Sequence, residues 1–88
     1  MFLLDSHCDT PSQILRLRDL ALDNEYAHVD FPKLRKGEVD GAFFALYVPA
    51  DRSEEEAYAY SHRLLEAVRA TVAANHDAAA LATSPAEA

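Results

Sequence analysis

Phe2-Leu3-Leu4-Asp5-Ser6-His7-Cys8-Asp9-Thr10-Pro11 opens the chain, and how this stretch is read decides what the rest builds. A short apolar run is closed by a polar cluster and a proline, which predicts a buried strand whose C-terminal end carries His7 and Asp9. Successive side chains of an extended backbone point to opposite faces, so His7 and Asp9 share one side and Cys8 takes the other. An imidazole and a carboxylate on one side make half a metal site. Catalytic zinc takes about three protein ligands, so the others must come from elsewhere. The plainer alternative is a surface histidine beside a helix cap. A Cys8 nucleophile served by His7 is disfavoured, because the two face apart and no third group orients the base.

Working outward, Thr10-Pro11-Ser12-Gln13 has a capping-box pattern with proline at the first helical position, and Ile14, Leu15, Leu17 and Leu20 follow. This predicts a short helix whose positive end lies beside His7 and Asp9, where it would favour anionic groups, although a plain strand-to-helix turn carries the greater weight. Asp23-Asn24-Glu25-Tyr26 reads as a polar loop. His28-Val29-Asp30 is a second His-x-Asp, but no apolar strand precedes it. Asp30 stands where an N-cap belongs, before a turn that contains Pro32 and ends near Gly37, so a helix cap is favoured over a metal ligand.

Val39 to Val48 is nearly all apolar on both parities, with Pro49 as its stop, which predicts a strand covered on both faces as in a parallel sheet. Phe43, Phe44 and Tyr47 are expected in the core, and Tyr47 is given no catalytic role. Ser53-Glu54-Glu55-Glu56 is another capping box. Ala57, Ser61, Leu64, Leu65, Val68 and Val72 then mark one face of a long amphipathic helix ending near Asn75. His62 is expected on its solvent side and His76 near its C-terminus, both structural. Ala78 to Thr83 is expected as a third, short strand despite the poor strand propensity of alanine. Ser84-Pro85-Ala86-Glu87 repeats the helix-start pattern.

The 88 residues suffice for one small core. A net charge of -7, from 15 acidic and 8 basic residues, argues against nucleic acid and anionic membrane as partners. A single cysteine allows no internal disulfide. Asp5 follows Met1 too closely for a signal peptide, and no apolar stretch is long enough to span a bilayer, so the cytoplasm is the expected compartment.

Strand, helix, strand, helix, strand and a helix start is the rhythm of an α/β fold with parallel strands. Within it, Asp5-Ser6-His7-Cys8-Asp9-Thr10-Pro11 resembles the Asp-Gly-His-Asn-Asp-x-Pro opening of the membrane dipeptidase (renal dipeptidase) family of zinc peptidases. Asp30 to Pro49 is similar to that family's Pro-x-Leu-x-x-Gly-x-Val-Gly-x-Gln-Phe-Trp-x-x-Tyr-x-Pro segment, in the same order. The departures are Ser6 for glycine, Cys8 for asparagine, Asp40 for glycine, and Ala42-Phe43-Phe44 in the Gly-Gln-Phe-Trp region, where no tryptophan stands. From Pro49 onward only the pattern of elements is compatible.

The resemblance implies the N-terminal portion of a (β/α)8 TIM-like metallo-hydrolase barrel, a fold of roughly 250 residues. Residues 1–88 would be the first βα units of one domain that continues beyond the chain end. It further implies a zinc-dependent dipeptidase with two zinc ions, in which a bridging hydroxide attacks the peptide carbonyl of a dipeptide. His7 and Asp9 would be ligands of one metal. The bridging carboxylate, the remaining histidines and the acid/base aspartate fall further along the family's chain, so no catalytic residue is expected here and the segment alone should be inactive. The expected partners are a dipeptide substrate and the remainder of the barrel, with a homo-oligomer also compatible with open strand edges. Two other readings stay open. One is a different metal-dependent barrel amidohydrolase, an amidase or deaminase, which the Lys33-to-Pro49 block disfavours. The other is a catalytically incomplete piece acting only in structure or interaction.

Overall fold

Two parallel strands joined through helices organise the molecule, seen in a computed structural model that describes residues 2–16, 19–23, 25, 28–84 and 86–87. In chain order the elements are β1 (Leu4–Cys8), α1 (Pro11–Leu15), α2 (Phe31–Lys36), β2 (Gly41–Phe44) and α3 (Glu54–Ala74). β1 and β2 pair in parallel, Leu4 opposite Gly41, Asp5 opposite Ala42 and Cys8 opposite Phe44, with an irregular step between Asp5 and Cys8. The ladder is entered through Leu3, whose carbonyl accepts from the Asp40 and Gly41 N–H groups, and left through Cys8, whose carbonyl accepts from Ala45. The strands are therefore parallel as the apolar runs predict, and the chain is a small mixed α/β unit.

The helices form where local chemistry supplies their ends. Ser53 is extended and its hydroxyl accepts from the Glu56 N–H at 3.2 Å, which starts α3 as its capping pattern predicts. Along α3, Leu64 and Val68 are buried while Ala57, Ser61, Leu65 and Val72 are half-buried, so the predicted apolar face is the inner one, and it packs against α1. Asp30 is extended and caps α2 through Oδ1, 2.8 Å from the Lys33 N–H. At the other end of α2 the Val39 N–H reaches the Leu34 carbonyl and the Glu38 N–H reaches Arg35, the paired bonds of a Schellman motif. Glu38, at φ 57°, takes the left-handed position that glycine usually fills.

Four expectations need correction. Phe2, Leu3 and Leu4 are exposed, and strand pairing begins only at Leu4, because among the described residues no element covers this run. β2 is four residues rather than the whole of Val39 to Val48, with Phe43 63% and Tyr47 58% exposed. A strand needs a neighbour, and β1 pairs only its first half. Ala78 to Thr83 forms no strand: the Ala78 and Ala79 N–H groups both bind the Asn75 carbonyl and continue the turn that ends α3. Thr10 makes no side-chain cap, because its backbone is already helical at φ -55° and ψ -32°, and α1 stops at Leu15. Leu17, Asn24, Tyr26 and Pro85, on which parts of the sequence reading fall, lie outside the described residues.

Among the described residues the buried apolar side chains include Cys8, Leu20, Leu64 and Val68, and Thr10, Pro11 and Asp30 are buried as well. No helix among the described residues is long and apolar enough to cross a membrane.

Candidate metal centre

The C-terminal end of β1 presents its polar cluster at the end of a parallel strand, where open α/β folds collect their ligands. His7 Nε2 lies 3.1 Å from Asp9 Oδ1, and the two side chains are 69% and 55% exposed. Cys8, between them, is turned inward: it is 7% exposed and its Sγ lies 2.7 Å from the Thr10 hydroxyl. The alternation read from the sequence thus gives the observed separation of the imidazole and carboxylate from the thiol. It also leaves Cys8 unable to attack a substrate bound on the His7 side.

The cluster is stiffened by its own backbone. The Ser12 hydroxyl and N–H both donate to the Asp9 carbonyl, at 3.0 and 3.4 Å, which pins the turn between β1 and α1. The Asp5 carboxylate accepts from the His7 N–H at 3.1 Å. Sequence reasoning gave Asp5 no role, although its position two residues before a turn-facing N–H is the usual signature of an aspartate that closes a local turn. α1, five residues long, follows β1 through this strand-to-helix turn.

The remaining histidines do not join the pair. His28 is exposed, and Asp30, expected as a helix cap rather than a metal ligand, is fully buried and bound to Lys33 through both oxygens. His62 packs against Tyr58 with ring centroids 4.5 Å apart and the rings tilted by 57° on the outside of α3, and His76 is exposed beyond its end. Among the described residues no three or more of His, Cys, Asp and Glu come together as a metal cluster.

The sequence model of the family described as membrane dipeptidase (peptidase family M19) matches residues 1–88, the whole chain. The chain belongs to the membrane dipeptidase family. No solved structure matches it. Membership implies a dipeptidase-type hydrolase.

Metal dependence goes with this family, so the pair can be tested as a ligand set. Two ligand atoms at zinc–nitrogen and zinc–oxygen distances and tetrahedral angles lie roughly 3.3 Å apart. The observed 3.1 Å between Nε2 and Oδ1, a hydrogen-bond contact in this structure, is also close to that spacing. The donors are of the right type and open to solvent, so the residues present fit half of a zinc site. The departures from the dipeptidase pattern leave this half intact. Ser6 adopts no left-handed conformation that would demand glycine. Cys8 packs inward. Asp40 adds a tie, its Oδ2 accepting from the Leu3 N–H at 2.8 Å across the start of the sheet.

Proposed function

We propose that residues 1–88 are the first βα units of a (β/α)8 barrel and that the full-length protein is a zinc-dependent dipeptidase. The observation that carries this reading is the 3.1 Å approach of His7 Nε2 to Asp9 Oδ1 at the end of a parallel strand, inside a segment that matches the dipeptidase family throughout. His7 through Nε2 and Asp9 through Oδ1 would hold one metal of a two-zinc site. The chemistry supplied by the bound ions is Lewis acidity, which polarises the scissile carbonyl and brings the pKa of a bound water toward neutrality.

The chain's own contribution is positional. Burial of Cys8 below the pair and the Ser12 bonds to the Asp9 carbonyl keep the two donors on one side, so little ordering is left for the moment of binding. Acid/base and bridging groups come from later strands of the barrel. The exposed Phe43 and Tyr47 faces and the unpaired edges of the two-stranded sheet support a continuation that covers them. A net charge of -7 supports partners other than nucleic acid or anionic membrane.

Metal analysis and dipeptide hydrolysis on the full-length protein test the reading. The wild type should carry about two zinc ions per chain, and His7→Ala or Asp9→Ala should lower both zinc content and turnover. Unchanged zinc and unchanged turnover in both variants would make the pair a bystander.

A further inference from the structure

Between Asp5 and Cys8 the strand takes three steps, while its partners Ala42 and Phe44 are two apart. One residue of β1 is therefore extra, which is a bulge. Partners in a parallel ladder share a face, and Ala42 and Phe44 share one, so Asp5 and Cys8 share it too although they are an odd number of residues apart. Burial agrees. Asp5 is half-buried and Cys8 buried, whereas Ser6 and His7 between them are both exposed. Without the extra residue, regular pairing from Asp5 and Ala42 would set His7, not Cys8, opposite Phe44. His7 and Asp9 would then turn to the half-buried side.

The irregular step is spanned by one short side chain, Asp5, whose Oδ1 accepts from the His7 N–H at 3.1 Å. That bond joins the last regular residue before the bulge to the backbone of the ligand within it. We infer that Asp5 is a positioning residue: its carboxylate holds the bulge that sets the face on which His7 meets Asp9. This rests on the reading of His7 and Asp9 as metal ligands. The role requires a short acceptor rather than a charge, because the contact is to a backbone N–H two residues on, within reach of an aspartate or asparagine and overshot by a longer arm.

The test is the zinc affinity of the full-length protein, measured by competition with a chromophoric chelator, alongside the melting temperature of the metal-free form. Asp5→Asn, which keeps the acceptor, should bind zinc within about threefold of wild type, while Asp5→Glu and Asp5→Ala should bind about ten- to a hundredfold more weakly. The metal-free melting temperatures of the Asn and Glu variants should match the wild type. Retained affinity in Asp5→Glu with loss in Asp5→Asn would overturn the inference, since Asp5 would then act through its charge. Wild-type affinity in all variants, or losses that follow the melting temperature, would overturn it as well. If Asp5→Ala fails to fold, the Asn and Glu contrast decides alone. His7→Ala is the control: wild-type zinc affinity there removes the ligand reading itself and this inference with it, whereas weak binding there with normal binding in Asp5→Ala removes only the role of Asp5.

Discussion

The Lys33 ammonium lies 2.7 Å from Asp30 Oδ2 while the Lys33 N–H lies 2.8 Å from Asp30 Oδ1, so one fully buried carboxylate holds both ends of the same lysine. The aspartate that begins α2 also anchors a side chain from its first turn. Lys33 reaches Asp23 as well, at 3.2 Å, which ties the loop after α1 to α2. Asp30→Ala should cost about 1–2 kcal/mol through the lost cap alone, and more because the ammonium loses its buried partner. Asp30→Asn keeps a cap acceptor and should cost less. Urea unfolding of the full-length protein measures both, and equal losses would mean that the ion pair outweighs the cap.

The same contact sets a pH dependence. Hydrogen bonding to Asp30 raises the Lys33 pKa above its ordinary 10.5, against a smaller opposing effect of desolvation and with help from Asp23. A raised folded-state pKa stabilises fully below the unfolded value and is lost as pH rises through the folded one. The contribution should therefore hold to about pH 10 and fade above it. Lys33 is partly exposed, so the effect is modest and screened by salt. Stability measured from pH 8 to 12 should fall more steeply in wild type than in Lys33→Met, and parallel curves would contradict the assignment.

Glu38 holds the left-handed position of the Schellman motif that ends α2, at φ 57°. A side chain there costs roughly 1 kcal/mol relative to glycine. Glu38→Gly should raise the denaturation midpoint by a corresponding amount without affecting hydrolysis. No gain would mean that the added freedom of the unfolded chain cancels the relief of strain.

The 88-residue segment made alone should show no dipeptidase turnover with added zinc, and it should self-associate. Two ligands do not complete a two-metal centre. Phe2, Leu3, Leu4, Phe43 and Tyr47 leave apolar surface open beside unpaired strand edges. Sedimentation and a dipeptide assay read both halves of the prediction. A sharp monomer with cooperative unfolding would contradict the first-units-of-a-barrel reading, and zinc-dependent turnover would contradict the placement of the remaining ligands elsewhere.

What proved legible in the sequence was chemistry that closes over a few residues. The Ser53 and Asp30 caps, the α3 inner face through Leu64 and Val68, and the separation of His7 and Asp9 from Cys8 each follow from spacing along one stretch of backbone, and the structure contains all of them. Thr10 shows the limit of that logic. Its pattern matches a cap, yet its backbone enters the helix early and its hydroxyl turns to Cys8, because the buried thiol there offers it a partner.

Tertiary structure alone decided the rest. Whether Phe2 to Leu4 or Val39 to Val48 is covered depends on what packs against it, and apolar composition records a demand for cover without supplying it. Ala78 to Thr83 could become a strand only beside a neighbour, and it took the turn offered by Asn75 instead. The bulge between Asp5 and Cys8 appears only when β1 is laid against β2, because register belongs to a pair of strands and not to either one. The sequence by itself therefore determined that His7 and Asp9 stand together. Which face of the sheet they stand on was decided by pairing with Ala42 and Phe44, since a face exists only once two strands share hydrogen bonds.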